Sequence, residues 1–293
     1  MMLRYTVLAS GSRGNAALLQ TESYGLLIDA GLPARELSSR LENVGLSMDH
    51  IHAALLTHTH TDHWNDGIFG FMARNALPLY CHPSHHSYLA NASTNFARLQ
   101  EQDLILAYAP GQTLALTPGL RLRALPVRHD GVGQTFAFRI DGPTDLFGEG
   151  VSIGHVSDLG TWDDDLVRAL ANIDLLAVEF NHDREMELRS TRPERLIARV
   201  LGDFGHLSND QATGFVRAIL EQSRPGRLRH LIQLHLSEDC NRPQRAREAI
   251  RPLAQNQPTR LQVHTACQDK PGRTLRVMTC GSDSRVDEQR VRV

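Results

Sequence analysis

At 293 residues, 41% of them hydrophobic, the chain is long enough to bury a large core in one domain or in two closely joined ones. A formal net charge of −2 excludes binding to nucleic acid through bulk positive charge, and no run of about 18 apolar residues is present to cross a membrane as a helix. The four cysteines, Cys81, Cys240, Cys267 and Cys280, form no CxxC pair, which excludes a thiolate zinc knuckle.

The opening MMLRYTVLAS has no basic stretch leading into a long apolar run. It reads as a first strand and not as a secretion signal, so a cytoplasmic protein is expected. LRYTVLA, NAALLQT and GLLIDAG are short apolar runs cut by Gly, Ser and Asn, as hairpin strands are. PARELSSRLENVG has helical apolar spacing between an early Pro and a closing Gly. HAALLT is a compact run that stops just before His58 and predicts a buried strand; IFGFMARN then predicts a short helix.

Further strands are expected at LRLRALPV, TFAFRI, GVSIGHVS and IDLLAVEF. TRPERLIARVLG predicts a helix capped by Thr191, and SNDQATGFVRAILEQS a second capped by Ser208. LRHLIQLHL reads as a strand, PQRAREAIRPLAQ as a helix and RLQVHTA as the last strand. One α/β domain over residues 1–280 is expected, with sheets inside, helices outside and a loose polar tail over 281–293. Residues 184–251 carry 13 Arg against 9 Asp and Glu, and Lys270 is the only lysine of the chain. Arginine forks fit phosphates well, although a general preference for arginine accounts for the count equally simply.

Residues 57–67 read THTHTDHWNDG. His58 and His60 are two apart, so in an extended segment they point the same way; Asp62 continues that phase and His63 follows at the turn. Such a loop offers a pair of imidazoles to one metal ion and a carboxylate plus an imidazole to a second. Two sites need more ligands. His129, Asp158 and His235 each stand where an apolar run stops, as His58 does, and complete the candidate set.

With these residues in place the sequence resembles the metallo-β-lactamase superfamily. The resemblance implies an αββα four-layer sandwich with two divalent metal ions, zinc or manganese or iron, between its sheets. Site one would take His58, His60 and His129; site two would take Asp62, His63 and His235; Asp158 would bridge them. A narrower match is to the WalJ/YycJ-like branch. It rests on ASGSRGNAALLQ, THTHTDH, RHD, SDLG, EFNHD, GHLSND and HLSEDCNRP. The match departs at Cys240, where the pattern places Asn in an NN pair; Asn241 remains. That branch implies a nuclease acting on DNA, with 5′→3′ exonuclease activity. The same metal ligands also serve hydrolases of small esters, thioesters and lactones, which is the alternative. No long inserted cap stands between Asp158 and His235, so the substrate channel must be built otherwise.

Two close metal ions lower the pKa of a bridging water from about 15.7 towards 7, giving hydroxide near neutral pH. Asp62 is expected to orient that hydroxide. His206, in FGHLSND, is the candidate to protonate the leaving alcohol; the alternative is that it ligates a metal in place of His235. His182, in EFNHD, either touches the substrate or supports a ligand. Ser10, Ser12 and Asn15 lie in a Gly-spaced turn whose amides can cradle an anion. Asn181, Ser208 and Asn241 complete the candidate substrate contacts. Asp29, in LLIDAG, is read as a hydrogen-bond acceptor behind a metal ligand. CHPSHH is read as a strand end and a helix start, not as another metal site.

Overall fold

The computed structural model describes residues 2–144 and 150–278; the tail expected over 281–293 and Cys280 lie outside them. One mixed sheet has the order β14–β1–β2–β3–β4–β5–β6. Its strands are β1 (Met2–Ala9), β2 (Ala16–Gln20), β3 (Gly25–Ile28), β4 (Ala53–Leu55), β5 (Leu79–Cys81), β6 (Ile105–Ala107) and β14 (Leu275–Met278). The other sheet has the order β13–β12–β11–β10–β9–β8–β7. It comprises β7 (Thr113–Thr117), β8 (Leu120–Val127), β9 (Thr135–Thr144), β10 (Gly150–Val156), β11 (Leu175–Glu179), β12 (His230–Leu234) and β13 (Gln262–Thr265). Each sheet is antiparallel on one side and parallel on the other: β3 to β6 run parallel in the first, β10 to β13 in the second.

The two sheets face each other through Tyr5, Leu19, Ile28, Phe136, Phe138 and Ile153. Helices α1 (Ala34–Glu42), α2 (Asp66–Arg74), α3 (His86–Ala92) and α4 (Thr94–Glu101) belong to the first sheet, where Leu37, Phe69 and Phe96 pack over Leu18 and Leu27. Helices α5 (Asp164–Ala169), α6 (Arg184–Leu188), α7 (Glu194–Leu201), α8 (Asn209–Glu221) and α9 (Pro243–Gln255) follow. From α8 and α9, Phe215, Val216 and Ile250 cover Leu176, Val178 and Leu231 of the second sheet. Apolar residues on both faces of the central strands force this covering, because parallel strands need helices on each open side. The result is the expected four-layer α/β/β/α sandwich.

Two local expectations are corrected. Thr191 does not cap α7; Pro193 takes the N-cap position and no side chain caps the helix. A proline φ already suits a helix start, which removes the need for a hydroxyl there. RLQVHTA is not the last strand, because β14 returns to pair antiparallel with β1 (Met2↔Met278). Ser208 does cap α8, in a capping box with Gln211. CHPSHH forms the end of β5, a turn and the start of α3.

Buried neutral histidines make the fold acid-sensitive. Burial holds His155 down to about 4, where it accepts a hydrogen bond from the Tyr5 hydroxyl (2.6 Å). Burial likewise holds His85 and His182 at about 4. A histidine depressed in the fold stabilises fully above its unfolded pKa of about 6.5, and that stability is lost as pH falls towards 4. Each contributes at most about 3 kcal/mol over that window. In chelator-treated protein the raised His63 and His235 act in the opposite direction over this window, so the check is a variant. The change in urea midpoint between pH 7.5 and pH 5 is expected to be more favourable to the fold at pH 5 in His155→Gln than in wild type; an equal change would show that His155 titrates normally.

Candidate metal centre

The site grows from strand ends. Asp29 follows β3, His58 follows β4, His129 follows β8, Asp158 follows β10 and His235 follows β12; Glu179 is the last residue of β11. Carboxyl ends of parallel strands collect functional side chains because the chain leaves the sheet there into loops. Two of these residues, Asp29 (φ 57°) and His235 (φ 51°), adopt left-handed backbone conformations. Non-glycine residues do so at a cost of about 1 kcal/mol or more, and such strain gathers at functional sites. Both are pinned. The Asp29 carboxylate accepts from the Thr57 amide (2.8 Å) and the His63 Nδ1 (2.7 Å). The His235 amide donates to Ser10 Oγ (2.8 Å), and its carbonyl accepts from Asn181 Nδ2 (3.1 Å). Gly31 admits the ligand loop: a Cβ there would lie 1.8 Å from the Asp62 carbonyl oxygen.

His58, His60 and His129 converge. His60 Nδ1 lies 3.0 Å from His58 Nε2 and 3.2 Å from His129 Nε2. His60 Nε2 donates to the Asp130 carbonyl (2.8 Å), and His129 Nδ1 donates to the Gly205 carbonyl (2.8 Å). Those outward bonds fix the protons on the outer nitrogens. The inner nitrogens of His60 and His129 then meet as lone pairs, an arrangement that a shared cation stabilises. Burial and the neighbouring His63 charge hold His58 well below the ordinary imidazole range. Burial also lowers His129.

On the other side, Asp62, His63 and His235 form a second group with all donors within 4.8 Å of one another. Asp158 lies between the groups. Its carboxylate is 3.0 Å from His63 Nε2, 3.0 Å from His235 Nδ1 and 3.9 Å from His129 Nε2. Burial opposes its ionisation, yet the His235 and His63 charges hold it well below the usual carboxylate range. Burial likewise opposes charge on His63 and His235, but the surrounding carboxylates, Asp29 and Asp158 foremost, raise both well above the ordinary imidazole range. Asp158 Oδ2 and His235 Nε2 are buried and make no hydrogen bond, as donors reserved for a cation do. The nitrogen and oxygen donors fit zinc, manganese or iron(II).

A cavity of about 420 Å³ opens over Asp62, Asp158, His206 and His235. Ser12, Tyr88, Asp130 and Arg199 also line it, and the Arg199 guanidinium pairs with Asp130 (2.7 Å). Of the expected substrate contacts, Ser12 alone lines this cavity. Asn15 Nδ2 donates to Asp62 Oδ2 (3.0 Å) and to the Gly11 carbonyl, so it holds the ligand loop. Ser10 and Asn181 hold the His235 backbone. Asn241 donates to the Phe180 carbonyl (2.7 Å), and Ser208 caps α8. These five serve the scaffold and do not line the cavity. His182 is fully buried with neither ring nitrogen hydrogen bonded, and it does not line the cavity. At the departing position, the Cys240 carbonyl accepts from the Asp183 amide (2.8 Å).

Glu179 was not among the sequence candidates. Its carboxylate accepts from the Leu159 amide (2.8 Å), the Leu207 amide (3.0 Å) and His206 Nδ1 (3.0 Å). The signal was a carboxylate set between Val178 and Phe180 at the end of the apolar run IDLLAVEF, since a buried charge needs partners. Asp158, Glu179, His206 and His235 also bring four donors within 4.8 Å, so His206 stands within reach of the metal position.

Residues 24–228 match the model of the beta-lactamase superfamily domain. The chain belongs to this superfamily. Among curated relatives, the exodeoxyribonuclease WalJ of Streptococcus pneumoniae is 29% identical over 231 residues, covering 78% of this chain and 81% of that protein. The exodeoxyribonuclease YycJ of Bacillus anthracis is 26% identical over 253 residues, covering 85% and 88%. Among solved structures, the metallo-beta-lactamase fold protein YhfI from Bacillus subtilis superposes with a TM-score of 0.64 at 18% identity, covering 93% of this chain and 99% of that one. The chain is thus a WalJ/YycJ-like member of the superfamily and a metal-dependent hydrolase. Among the described residues, no helix is long and apolar enough to cross a membrane.

The outer hydrogen bonds are expected to tune metal affinity. Asp29→Asn removes the charge that orients His63, and such partners of metal ligands govern affinity by about 10- to 100-fold. Competition with a chromophoric chelator is expected to show a loss of that size at one ion per chain; undiminished affinity would mean that His63 is held by other contacts.

Proposed function

We propose that this protein is a dinuclear metal-dependent phosphodiesterase that degrades DNA as a 5′→3′ exonuclease. The observation that carries the reading is Asp158, shared between two ligand groups on the floor of a polar cavity with an arginine in its wall. The names of the relatives support DNA and end-directed cleavage.

His58, His60 and His129 would hold one ion; Asp62, His63 and His235 the second; and Asp158 would touch both. When bound, such ions activate water for attack and offset the negative charge that grows on the phosphodiester. Asp62, the more exposed carboxylate, accepts a hydrogen bond from the attacking water and fixes its direction. Glu179 holds the Nδ1 side of His206, which leaves Nε2 to donate a proton to the departing oxygen. Glu179 also steadies the imidazolium, as a buried carboxylate does for a catalytic histidine. Arg199 turns its fork towards a non-bridging phosphate oxygen once it exchanges Asp130 for substrate.

Arg199→Ala is therefore expected to raise KM for a DNA end about tenfold with little change in kcat, read from initial rates; an equal fall in kcat instead would place Arg199 in the transition state. The reading itself is tested with duplex DNA labelled at either end. Early release of the 5′ label as mononucleotide, dependent on added divalent metal, is the expected result. Turnover of small esters or thioesters without cleavage of any nucleic acid would replace it with a small-molecule hydrolase.

A further inference from the structure

The outer edge of the second sheet carries a basic groove that the chemistry above does not use. It lies between α9 and the edge strand β13, encloses about 980 Å³ and is lined by Arg247, Arg251, Arg260 and Arg273 with no Asp or Glu. None of the four arginines forms an ion pair among the described residues, and all are exposed. Four like charges around one groove repel each other unless an anion lies between them. Their field is felt inside the protein: after burial, Arg273 is the charge that depresses His264, and it also acts on His230.

The groove leads towards the metal centre. A second hollow, of about 550 Å³, shares Arg247 with it and continues past Arg242 and Lys270 to Ser10, whose hydroxyl holds His235. The acids bordering this hollow, Glu238 and Asp269, both pair with Arg13 (2.6 and 2.7 Å), while Arg242, Arg247 and Lys270 line the same hollow. Helix α9 begins eight residues after His235, beside the metal centre, and runs back along the edge of the sheet. Its 13 residues give the path a length of about 20 Å at 1.5 Å per residue. With one phosphate per roughly 3.4 Å of strand, that length accommodates about six nucleotides.

We infer that the α9–β13 groove is a track for the phosphate backbone of duplex DNA lying beyond the bond being cut. The inference rests on the nuclease reading above and adds where the uncleaved substrate sits. The arginines act away from the reacting atoms, so they contribute to binding of long substrates and nothing to the chemical step. Phosphate contacts of this kind hold any sequence and weaken steeply with salt.

The test compares wild type with the triple variant Arg251→Gln, Arg260→Gln, Arg273→Gln, both metal-loaded and matched by thermal unfolding. Substrates are a duplex DNA of about 30 base pairs, the equivalent duplex RNA, a trinucleotide and bis(p-nitrophenyl) phosphate. The expected result is a KM for the long DNA raised at least about tenfold, with the slope of log affinity against log salt shallower by about 2 to 3. The trinucleotide and the small diester should be turned over equally by both proteins. Equal KM and equal salt slope on long DNA would overturn the track while leaving the nuclease reading intact. A loss confined to RNA, or a changed oligomeric state with unchanged DNA kinetics, would overturn it in favour of a different occupant. Wild type that turns over the small diester but neither binds nor cuts nucleic acid would overturn both.

Discussion

Asp158→Asn is expected to lower DNA cleavage by at least about 10³-fold, equivalent to about 4 kcal/mol of transition-state stabilisation, and to reduce bound metal by at least one ion per chain. Among the described residues, Asp158 is the one carboxylate that approaches histidines from both ligand groups, at 3.0 Å from His63 and His235 and 3.9 Å from His129. The amide keeps the size of the side chain but removes the negative charge that compensates two divalent ions. It also presents an NH2 group to nitrogens that already carry the only lone pairs available for metal. Elemental analysis, circular dichroism and initial rates are measured on the same preparation. Folded protein with full metal content and near-normal rates would show that the two groups do not share this residue.

His206→Ala is expected to lower kcat by about 10² to 10⁴, the usual contribution of a general acid, while metal content stays unchanged. The discriminating measurement is the leaving group. An alkoxide leaving from deoxyribose needs a proton; p-nitrophenolate does not. The defect should therefore be large on DNA and nearly vanish on a p-nitrophenyl phosphodiester. Loss of a metal ion, with equal defects on both substrates, would mean that His206 is a ligand, a role for which its place among Asp158, Glu179 and His235 also qualifies it. Glu179→Gln should reproduce the same leaving-group pattern more weakly, because it removes the partner of His206 Nδ1 and not the ring.

The candidate ligands at strand ends were legible because each follows an apolar run that stops abruptly. His58, His129, Asp158 and His235 stand at the points where β4, β8, β10 and β12 leave the core, and a polar residue there has no apolar reason to exist. Asp29 was legible for the same reason, and it meets His63 as expected of an acceptor behind a ligand. Helices outside and sheets inside were legible from the interspersed strands and helices, and the four-layer order came from the family resemblance.

What stayed hidden depends on contacts distant in sequence. Asp130 and Arg199 are 69 residues apart and meet only because α7 packs beside the loop after β8. Glu179 looked like part of a strand, and its place depends on amides from one earlier loop and one later one. The polar residues Ser10, Asn15, Asn181 and Asn241 were visible, but sequence does not show whether a side chain faces a cavity or a backbone. Here it is the backbone or the ligand loop, since polar groups at a buried strand end must be satisfied locally before they can serve a substrate. The arginine groove was visible only as a regional excess of charge, because Arg251 of α9 and Arg273, just before β14, come together from separate parts of the chain.

The most direct measurement is a titration of Mn²⁺ or Zn²⁺ into metal-stripped protein, with bound metal and cleavage of end-labelled duplex DNA followed together. Two ions per chain, with cleavage appearing as the second binds, is the predicted result. Full cleavage with a single ion, or two bound ions and no cleavage of DNA, would contradict it.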